Sequence, residues 1–179
     1  MNKLLATVAV GAALVTGVPW RSQAEVANIA ILYSPGRNLE VEDIRLIESA
    51  RSNIDMAAYT LTSFAIMDAL ADAGRRGVGV RLLLDASQLR QARDFVRERL
   101  ERLGRIAGVS IRVSTGRDLM HLKSFVIDDM TLRTGSANFT PTGLKRQNND
   151  LVIIRDRASA VFYKAMFSEL FVKSQPLSK

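Results

Sequence analysis

The chain of 179 residues contains one histidine, His121, which opens a segment with several polar side chains at fixed spacing. The segment HLKSFVIDDMTLRTGSAN reads H-x-K-x4-D-x6-G-S-x-N from His121 to Asn138. Imidazole acts as a nucleophile when neutral and as a proton donor when charged, because its pKa lies near neutrality. Lys123 can hold a phosphoryl oxygen as a point charge, and Ser136 and Asn138 can donate hydrogen bonds to the same oxygens. These residue types indicate cleavage of a phosphodiester without a metal ion.

Two short strands are predicted to position these side chains. His121 and Lys123 fall on one face of the first strand, because side chains alternate between the two faces. The second strand is predicted over 131–134, and Gly135 directly after it permits a close approach of the backbone. Asp128 lies between the two strands, where aspartate also suits an ordinary hairpin turn.

The motif is similar to the signature of the phospholipase D superfamily. That resemblance implies that His121 forms a covalent phosphohistidine. It also implies that Lys123, Ser136 and Asn138 bind the phosphate. Asp128 matches the motif aspartate and is assigned with His121 and Lys123 to the catalytic group, although the sequence leaves its chemical role open.

The family's chemistry uses two histidines, of which the second protonates the leaving group and later activates water. This chain has one histidine. A second copy of the chain is the simplest source of the other, so the resemblance predicts a homodimer with one active site between two His121 residues. Within the superfamily, residues 29–171 most resemble the small single-motif bacterial nucleases.

The chain departs from those nucleases at the residue that orients the histidine. They carry a glutamate after the motif, and the matching position here is assigned to Asn148, within KRQNNDLVII. Asp150 lies two residues further on, on the same face of a predicted strand. Asn148 and Asp150 are therefore both candidates for bonding the His121 ring. An amide would raise the basicity of imidazole less than a carboxylate would.

The first 24 residues are predicted to be a signal peptide. Lys3 precedes an apolar run over 4–18, which is short for a membrane span, and a small-residue cleavage site ends at Ala24. A retained N-terminal anchor is the alternative. Cleavage predicts a periplasmic or secreted protein, residues 25–179, with no stable membrane association.

Composition favours a polyanionic substrate. Removing residues 1–24 takes away Lys3 and Arg21 and no acid, which lowers the formal charge from +7 to +5. A basic protein attracts nucleic acid and other polyanions. The chain has no cysteine, and no histidine–cysteine cluster or repeated carboxylate motif indicates a metal site. No cofactor is predicted.

Strands alternate with helices along the rest of the chain. This order predicts a single-domain α/β/α sandwich with a mixed, mostly parallel central sheet. The predicted strands are 27–33, 54–61, 80–85, 109–113, 121–127, 131–134 and 150–154, and the predicted helices are 41–51, 65–76, 88–106 and 158–172.

Three further features have two interpretations each. The long helix over 88–106 carries six arginines among acids and is predicted to face solvent, with a nucleic-acid groove as the alternative. Tyr59 lies at the end of a predicted strand and is predicted to pack half-buried, with a place near the site or at the dimer interface as the alternative. Asp85 ends a buried strand, where α/β sites often lie, and a structural role is predicted for it.

Taken together, the sequence predicts a metal-independent endonuclease acting on DNA, with RNA as a second candidate substrate. A phospholipid or cardiolipin phosphodiesterase would use the same residues and is the first alternative. An inactive nucleic-acid-binding module is the second.

Overall fold

The computed structural model describes residues 28–177, so the predicted signal peptide and its cleavage site lie outside the described residues. This part of the chain contains eight strands and six helices. They are β1 (Asn28–Ser34), α1 (Leu39–Ser49), β2 (Asn53–Ala58), α2 (Phe64–Arg75), β3 (Gly79–Leu84), α3 (Ala86–Gln91), α4 (Asp94–Gly104), β4 (Val109–Val113), β5 (Lys123–Ile127), β6 (Thr131–Thr134), α5 (Pro141–Lys145), β7 (Asn149–Arg155), α6 (Arg157–Lys173) and β8 (Gln175–Pro176).

All eight strands form one mixed sheet in the order β1-β7-β6-β5-β2-β3-β4-β8. The predicted single α/β domain with a mixed sheet is confirmed. The expectation that the sheet is mostly parallel is wrong, because five of the seven strand pairings are antiparallel. Parallel neighbours need a crossover helix, and only β2, β3 and β4 are joined in that way. Strands β5 and β6 form a short hairpin, and β7 returns antiparallel to β6 after the longer connection that contains α5.

Helices cover both faces of the sheet. Helices α1, α2 and α4 pack on one face, where Met56, Leu82 and Phe125 belong to the larger apolar core. Helix α6 packs on the other face against Ala57 and Val126. The alternation of side chains along each strand supplies both cores from the same strands. No helix in the described part of the chain is long and apolar enough to span a bilayer.

The helix predicted over 88–106 is two helices, α3 and α4. Arg93 between them has an extended backbone, with ψ of 151°. Asp85 caps the first turn of α3 by accepting bonds from the Ser87 and Gln88 amides. Helix α3 buries none of its own side chains, whereas α4 buries Val96 and two leucines.

Asp128 has a structural position, which corrects its assignment to the catalytic group. Its carboxylate accepts bonds from the Arg51, Ser52 and Asn53 amides at 2.8–3.0 Å. It lies at the far end of β5, roughly 16 Å along the strand from Lys123 at about 3.3 Å per residue. The carboxylate joins the β5–β6 hairpin to the segment that enters β2. A motif match alone does not separate this role from a chemical one.

We expect Asp128→Ala to lower the free energy of unfolding at neutral pH by about 1–3 kcal/mol, since the carboxylate accepts several bonds at once. Burial raises the pKa of Asp128, but the hydrogen bonds outweigh burial and hold its pKa below the ordinary value. A lowered pKa gives stability that is complete above the ordinary pKa and is lost as the pH falls through the folded value. Urea unfolding at neutral and acid pH should therefore show the difference between variant and wild type shrinking below about pH 4.

Asp118→Ala, which removes an exposed carboxylate from a loop, is the matched control and should change the free energy of unfolding little. A folded Asp128→Ala protein should keep its enzymatic turnover. Loss of turnover in that protein would restore the catalytic assignment.

Candidate active site

His121 lies at the edge of the sheet where β2 and β3 end and β5 begins. Backbone bonds hold the residues on both sides of it. The Met120 amide donates to the Asp85 carboxylate at 2.9 Å, and the Tyr59 amide donates to the Leu122 carbonyl at 2.7 Å. The His121 side chain itself is exposed. Its backbone is therefore fixed while its imidazole remains accessible, and Asp85 has the structural role that the sequence predicted.

Tyr59 brings His121 and Lys123 together. The Tyr59 and His121 rings meet edge to face with centroids 4.2 Å apart, and Lys123 Nζ lies 4.7 Å from the Tyr59 centroid. Lys123 Nζ also donates to the His121 carbonyl at 2.8 Å. Burial lowers the pKa of Lys123. Tyr59 is thus part of the site rather than ordinary packing, and its position after β2 was the only sequence signal for this.

A hydrogen bond fixes the Tyr59 hydroxyl. Gln88 Nε2 on α3 donates to Tyr59 Oη at 3.0 Å, and Gln88 Oε1 accepts from Thr60 Oγ1 at 3.1 Å. The same helix is capped by Asp85, whose other carboxylate oxygen holds Met120. Helix α3 therefore positions both the ring and the backbone beside the imidazole.

Asp150 clamps the Gly-Ser-x-Asn loop. A Cβ added to Gly135, whose φ is +133°, would lie 2.5 Å from the Asp150 carbonyl oxygen, so only glycine fits here. The Ser136 amide donates to Asp150 Oδ1 at 3.3 Å, and the Asp150 amide donates to Ser136 Oγ at 3.0 Å. The Ser136 hydroxyl donates to Asn149 Oδ1 at 3.1 Å. Ser136 and Asp150 thus bond each other in the described chain.

Neither predicted orienter bonds the His121 ring within residues 28–177. Asn148 is exposed, and Asp150 is engaged with Ser136. The ring instead contacts Tyr59.

Asn138 has incomplete hydrogen bonding. Its Oδ1 is buried and has no hydrogen-bond partner among the described residues. Buried polar atoms are nearly always bonded, and an unpaired one costs free energy. The Asn138 side chain therefore has a buried acceptor oxygen that no group within residues 28–177 satisfies.

Arg133 connects the His-x-Lys segment of the motif with the Gly-Ser-x-Asn segment. It is fully buried, and its guanidinium binds both carboxylate oxygens of Asp43 at 2.7 and 2.9 Å. It also donates to the Lys123 carbonyl at 2.7 Å and to the Ala137 carbonyl at 3.4 Å. Burial raises the pKa of Asp43, and Arg133 acts in the opposite direction. The sequence analysis missed this pair, because its members are 90 residues apart.

An apolar cavity of about 610 Å³ lies beside His121. Its lining includes Leu83, Leu119, Met120 and Leu170. Leu119 is half exposed, at 53%. The imidazole thus has Tyr59 on one side and an apolar cavity next to it. Within residues 28–177, no cluster of three or more histidine, aspartate or glutamate side chains is arranged to hold a metal ion.

An α/β/α sandwich with an exposed imidazole and a lysine ammonium group together at the sheet edge has the groups that a phosphodiester-cleaving enzyme needs. The family model described as "Cardiolipin synthase, PLD-like domain" matches residues 44–171. The chain therefore belongs to the phospholipase D superfamily, whose members hydrolyse phosphodiester bonds.

Two curated relatives and one solved structure agree with this assignment. The phospholipase D of Rickettsia prowazekii (strain Madrid E) is 32% identical over 142 residues, covering 79% of this chain and 67% of the relative. The mitochondrial cardiolipin hydrolase of Xenopus tropicalis is 26% identical over 135 residues, covering 74% and 61%. Nuc from Salmonella typhimurium, a phospholipase D family member, superposes with a TM-score of 0.76 at 25% identity, covering 84% of this chain and 98% of that chain. The chain spans about two thirds of the length of the curated relatives.

We expect Tyr59→Leu to lower kcat for phosphodiester hydrolysis by about tenfold or more, because aromatic and cation–π contacts worth about 1–2 kcal/mol position both His121 and Lys123. Tyr59→Phe keeps the ring, loses the bond from Gln88, and should lower kcat by less than Tyr59→Leu. The measurement is the rate of hydrolysis of bis(p-nitrophenyl) phosphate across pH. Equal losses in the two variants would show that the hydroxyl, not the ring, carries the effect.

Proposed function

We propose that the protein is a metal-independent endonuclease that hydrolyses DNA, with RNA as a second substrate, through a covalent phosphohistidine on His121. One observation carries the proposal: the Tyr59 ring holds an exposed imidazole and a lysine ammonium side by side. The imidazole is accessible to a large substrate, and the cation is placed to neutralise a phosphoryl oxygen. The basic composition of the chain suits a polyanion.

The proposed reaction has two displacements at phosphorus. In the first, a ring nitrogen of His121 forms a bond to phosphorus, and the bond from phosphorus to the leaving oxygen breaks. A second imidazole gives its proton to that oxygen. In the second, the same imidazole takes a proton from water, whose oxygen attacks phosphorus and releases His121. Lys123 and the Asn138 amide bind the non-bridging oxygens in both steps.

The second imidazole comes from His121 of a second copy of the chain in this proposal. Exposed apolar side chains support a homodimer. Ile29, Ile31 and Tyr33 of β1 lie on the sheet face that carries α6 and are each more than half exposed, and Phe162 of α6 is 79% exposed. Large apolar surfaces of this kind usually mark an interface. The proposal requires the two-fold axis of such a dimer to pass close to His121, so that one site forms between two chains.

Mixed dimers test the shared site. Wild-type protein and His121→Ala are refolded together at several ratios, with the total concentration held constant. If each site needs His121 from both chains, an equal mixture should keep about a quarter of the wild-type activity, since only that fraction of random dimers is wild type in both chains. A single chain that is active alone would keep about half, and that result would contradict the shared site.

A phospholipid phosphodiesterase is the second candidate, and the apolar cavity beside His121 favours it. The cavity would hold an acyl chain while the same residues bind the phosphate. The names of the two curated relatives point in the same direction.

Substrate choice separates the candidates. The protein is incubated in excess EDTA with supercoiled plasmid and, separately, with vesicles containing cardiolipin. Nicked plasmid with intact lipid supports the nuclease, and lipid hydrolysis alone supports the second candidate. DNA binding with no turnover and with no trapped phosphohistidine would identify an inactive binding module.

The N-terminal segment supports the proposal that the protein is periplasmic or secreted. Cell fractionation tests this localisation.

A further inference from the structure

Two exposed phenylalanines form a patch with two arginines at the start of α2 and α4. Phe64 is 38% exposed and Phe95 is 49% exposed, and their rings meet edge to face at 5.9 Å. The Arg99 guanidinium lies 4.9 Å from the Phe64 centroid, and the Arg93 guanidinium lies 5.8 Å from the Phe95 centroid. We refer to these four residues as the aromatic–arginine patch.

The patch lies near the candidate active site. Phe64 begins α2, five residues after Tyr59, and the loop between them is held by the Thr62 and Ser63 amides, which both donate to the Phe139 carbonyl. A hollow of about 200 Å³ runs from Tyr59 past Gln88 to Ala92 and Leu100. Ala92 lies two residues before α4 and Leu100 lies within it, so the hollow reaches from the Tyr59 ring to α4, the helix that carries Phe95 and Arg99. The four patch residues themselves do not line the hollow.

Two arginines, Arg93 of the patch and Arg90 three residues before it, form no ion pair within the described residues. Arg99 forms an ion pair with Asp68, and Arg97 forms one with Asp94. Arg93, which sits over Phe95, has no carboxylate partner within residues 28–177, and the same holds for the exposed Arg90. The patch therefore offers exposed rings together with free positive charge, which is complementary to an anionic partner.

We infer that the aromatic–arginine patch binds unpaired bases of a single-stranded nucleic acid and leads that strand along the Tyr59 hollow to His121. Exposed aromatic rings stack on bases of any sequence, and arginine contributes cation–π contacts and binds the phosphates. A duplex keeps its base faces inside the stack, so the patch favours single strands. This inference rests on the proposed nuclease function and specifies its substrate.

The interleaving of rings and guanidiniums favours a nucleic acid over a lipid surface. A strand carries both flat bases and phosphates, and the patch combines two phenylalanine rings with two arginine guanidiniums. A membrane-binding surface would instead project its apolar side chains beyond its charges. Here Arg93 and Arg99 lie against the ring faces.

The test compares steady-state kinetics on a single-stranded oligonucleotide, the same sequence as a duplex, and bis(p-nitrophenyl) phosphate, which is too small to reach the patch. Wild-type protein should prefer the single strand. The double variant Phe64→Leu and Phe95→Leu keeps apolar volume but removes both rings. It should raise KM for the single strand by about fivefold or more, since even one stacked base contributes at least about 1 kcal/mol. Neither its kcat nor its activity on the small substrate should change.

Three further variants separate the effect of the aromatic rings from other effects of substitution. Phe95→Trp retains a stacking ring and should keep the wild-type KM. Met130→Ala removes an exposed apolar side chain at the β5–β6 hairpin, and KM should again be unchanged. Arg93→Ala should raise KM for the single strand and weaken its dependence on salt.

Three outcomes would overturn the inference, and they differ from one another. If an active double variant keeps the wild-type KM for the single strand, the patch does not bind the strand, and the proposed nuclease function is unaffected. Failure of the wild type to cut any nucleic acid, with the small substrate still hydrolysed, would reject both proposals. Loss of binding to anionic phospholipid vesicles, with single-strand kinetics unaffected, would assign the patch to a membrane surface.

Discussion

His121→Ala should lower turnover of both plasmid and bis(p-nitrophenyl) phosphate by at least about a thousandfold, because no other residue in the chain can replace a nucleophilic imidazole. The protein should remain folded. The side chain is exposed, and substitutions at such positions usually change the free energy of unfolding by less than about 0.5 kcal/mol. Turnover and thermal unfolding are measured on the same preparation.

Lys123→Met is the companion variant. It keeps an unbranched side chain in the same buried position and removes the charge that faces the phosphate. We expect a loss of about a hundredfold or more in kcat, comparable with the removal of one donor from an oxyanion site. Turnover retained in a clean His121→Ala preparation would end the phosphohistidine mechanism, whatever Lys123→Met does.

Arg133→Met should produce the largest loss of stability, about 3–5 kcal/mol in the free energy of unfolding, because it leaves the Asp43 carboxyl buried without its partner. Arg133 and Asp43 are both fully buried, so water cannot compensate for the lost contacts. The carbonyls of Lys123 and Ala137 lose their donor as well. Urea unfolding followed by circular dichroism measures the change.

The double variant Arg133→Met and Asp43→Leu separates stability from positioning. An apolar replacement of both members of a buried pair is often neutral, so much of the lost free energy of unfolding should return. Turnover should stay low, because the Lys123 and Ala137 carbonyls still lack the guanidinium that holds them. Full recovery of turnover would show that Arg133 acts on stability alone. Equal stability of the single and double variants would contradict the cost assigned to an unpaired Asp43.

The sequence allowed the family, the α/β class and the mixed sheet to be predicted, because the motif and the alternation of elements are local patterns. It did not allow the sheet directions to be predicted, because a strand pattern does not show whether the next connection crosses over or turns back. Arg133 was missed, and a place in the site was only the alternative interpretation of Tyr59, for a related reason. Each acts through contacts with residues far away in the chain, and neither stands in a recognisable spacing.

Asp128 illustrates the opposite error. It stands at the motif position, so the resemblance placed it with His121 and Lys123. The structure places it at the other end of β5, where its carboxylate binds three backbone amides. A residue at a motif position can thus stabilise the fold rather than take part in the chemistry.

Helix α3 makes the site depend on a weakly anchored element. The helix has six residues, none of them buried, yet Gln88 holds the Tyr59 hydroxyl and the Asp85 cap holds the Met120 amide. Short surface elements with little buried area open at a lower free energy than the core of a domain. Local opening of α3 would release the ring and the imidazole together while the eight-stranded sheet remained intact. On warming, hydrogen exchange should therefore reach the Met120 amide, and activity should fade, well before the sheet unfolds.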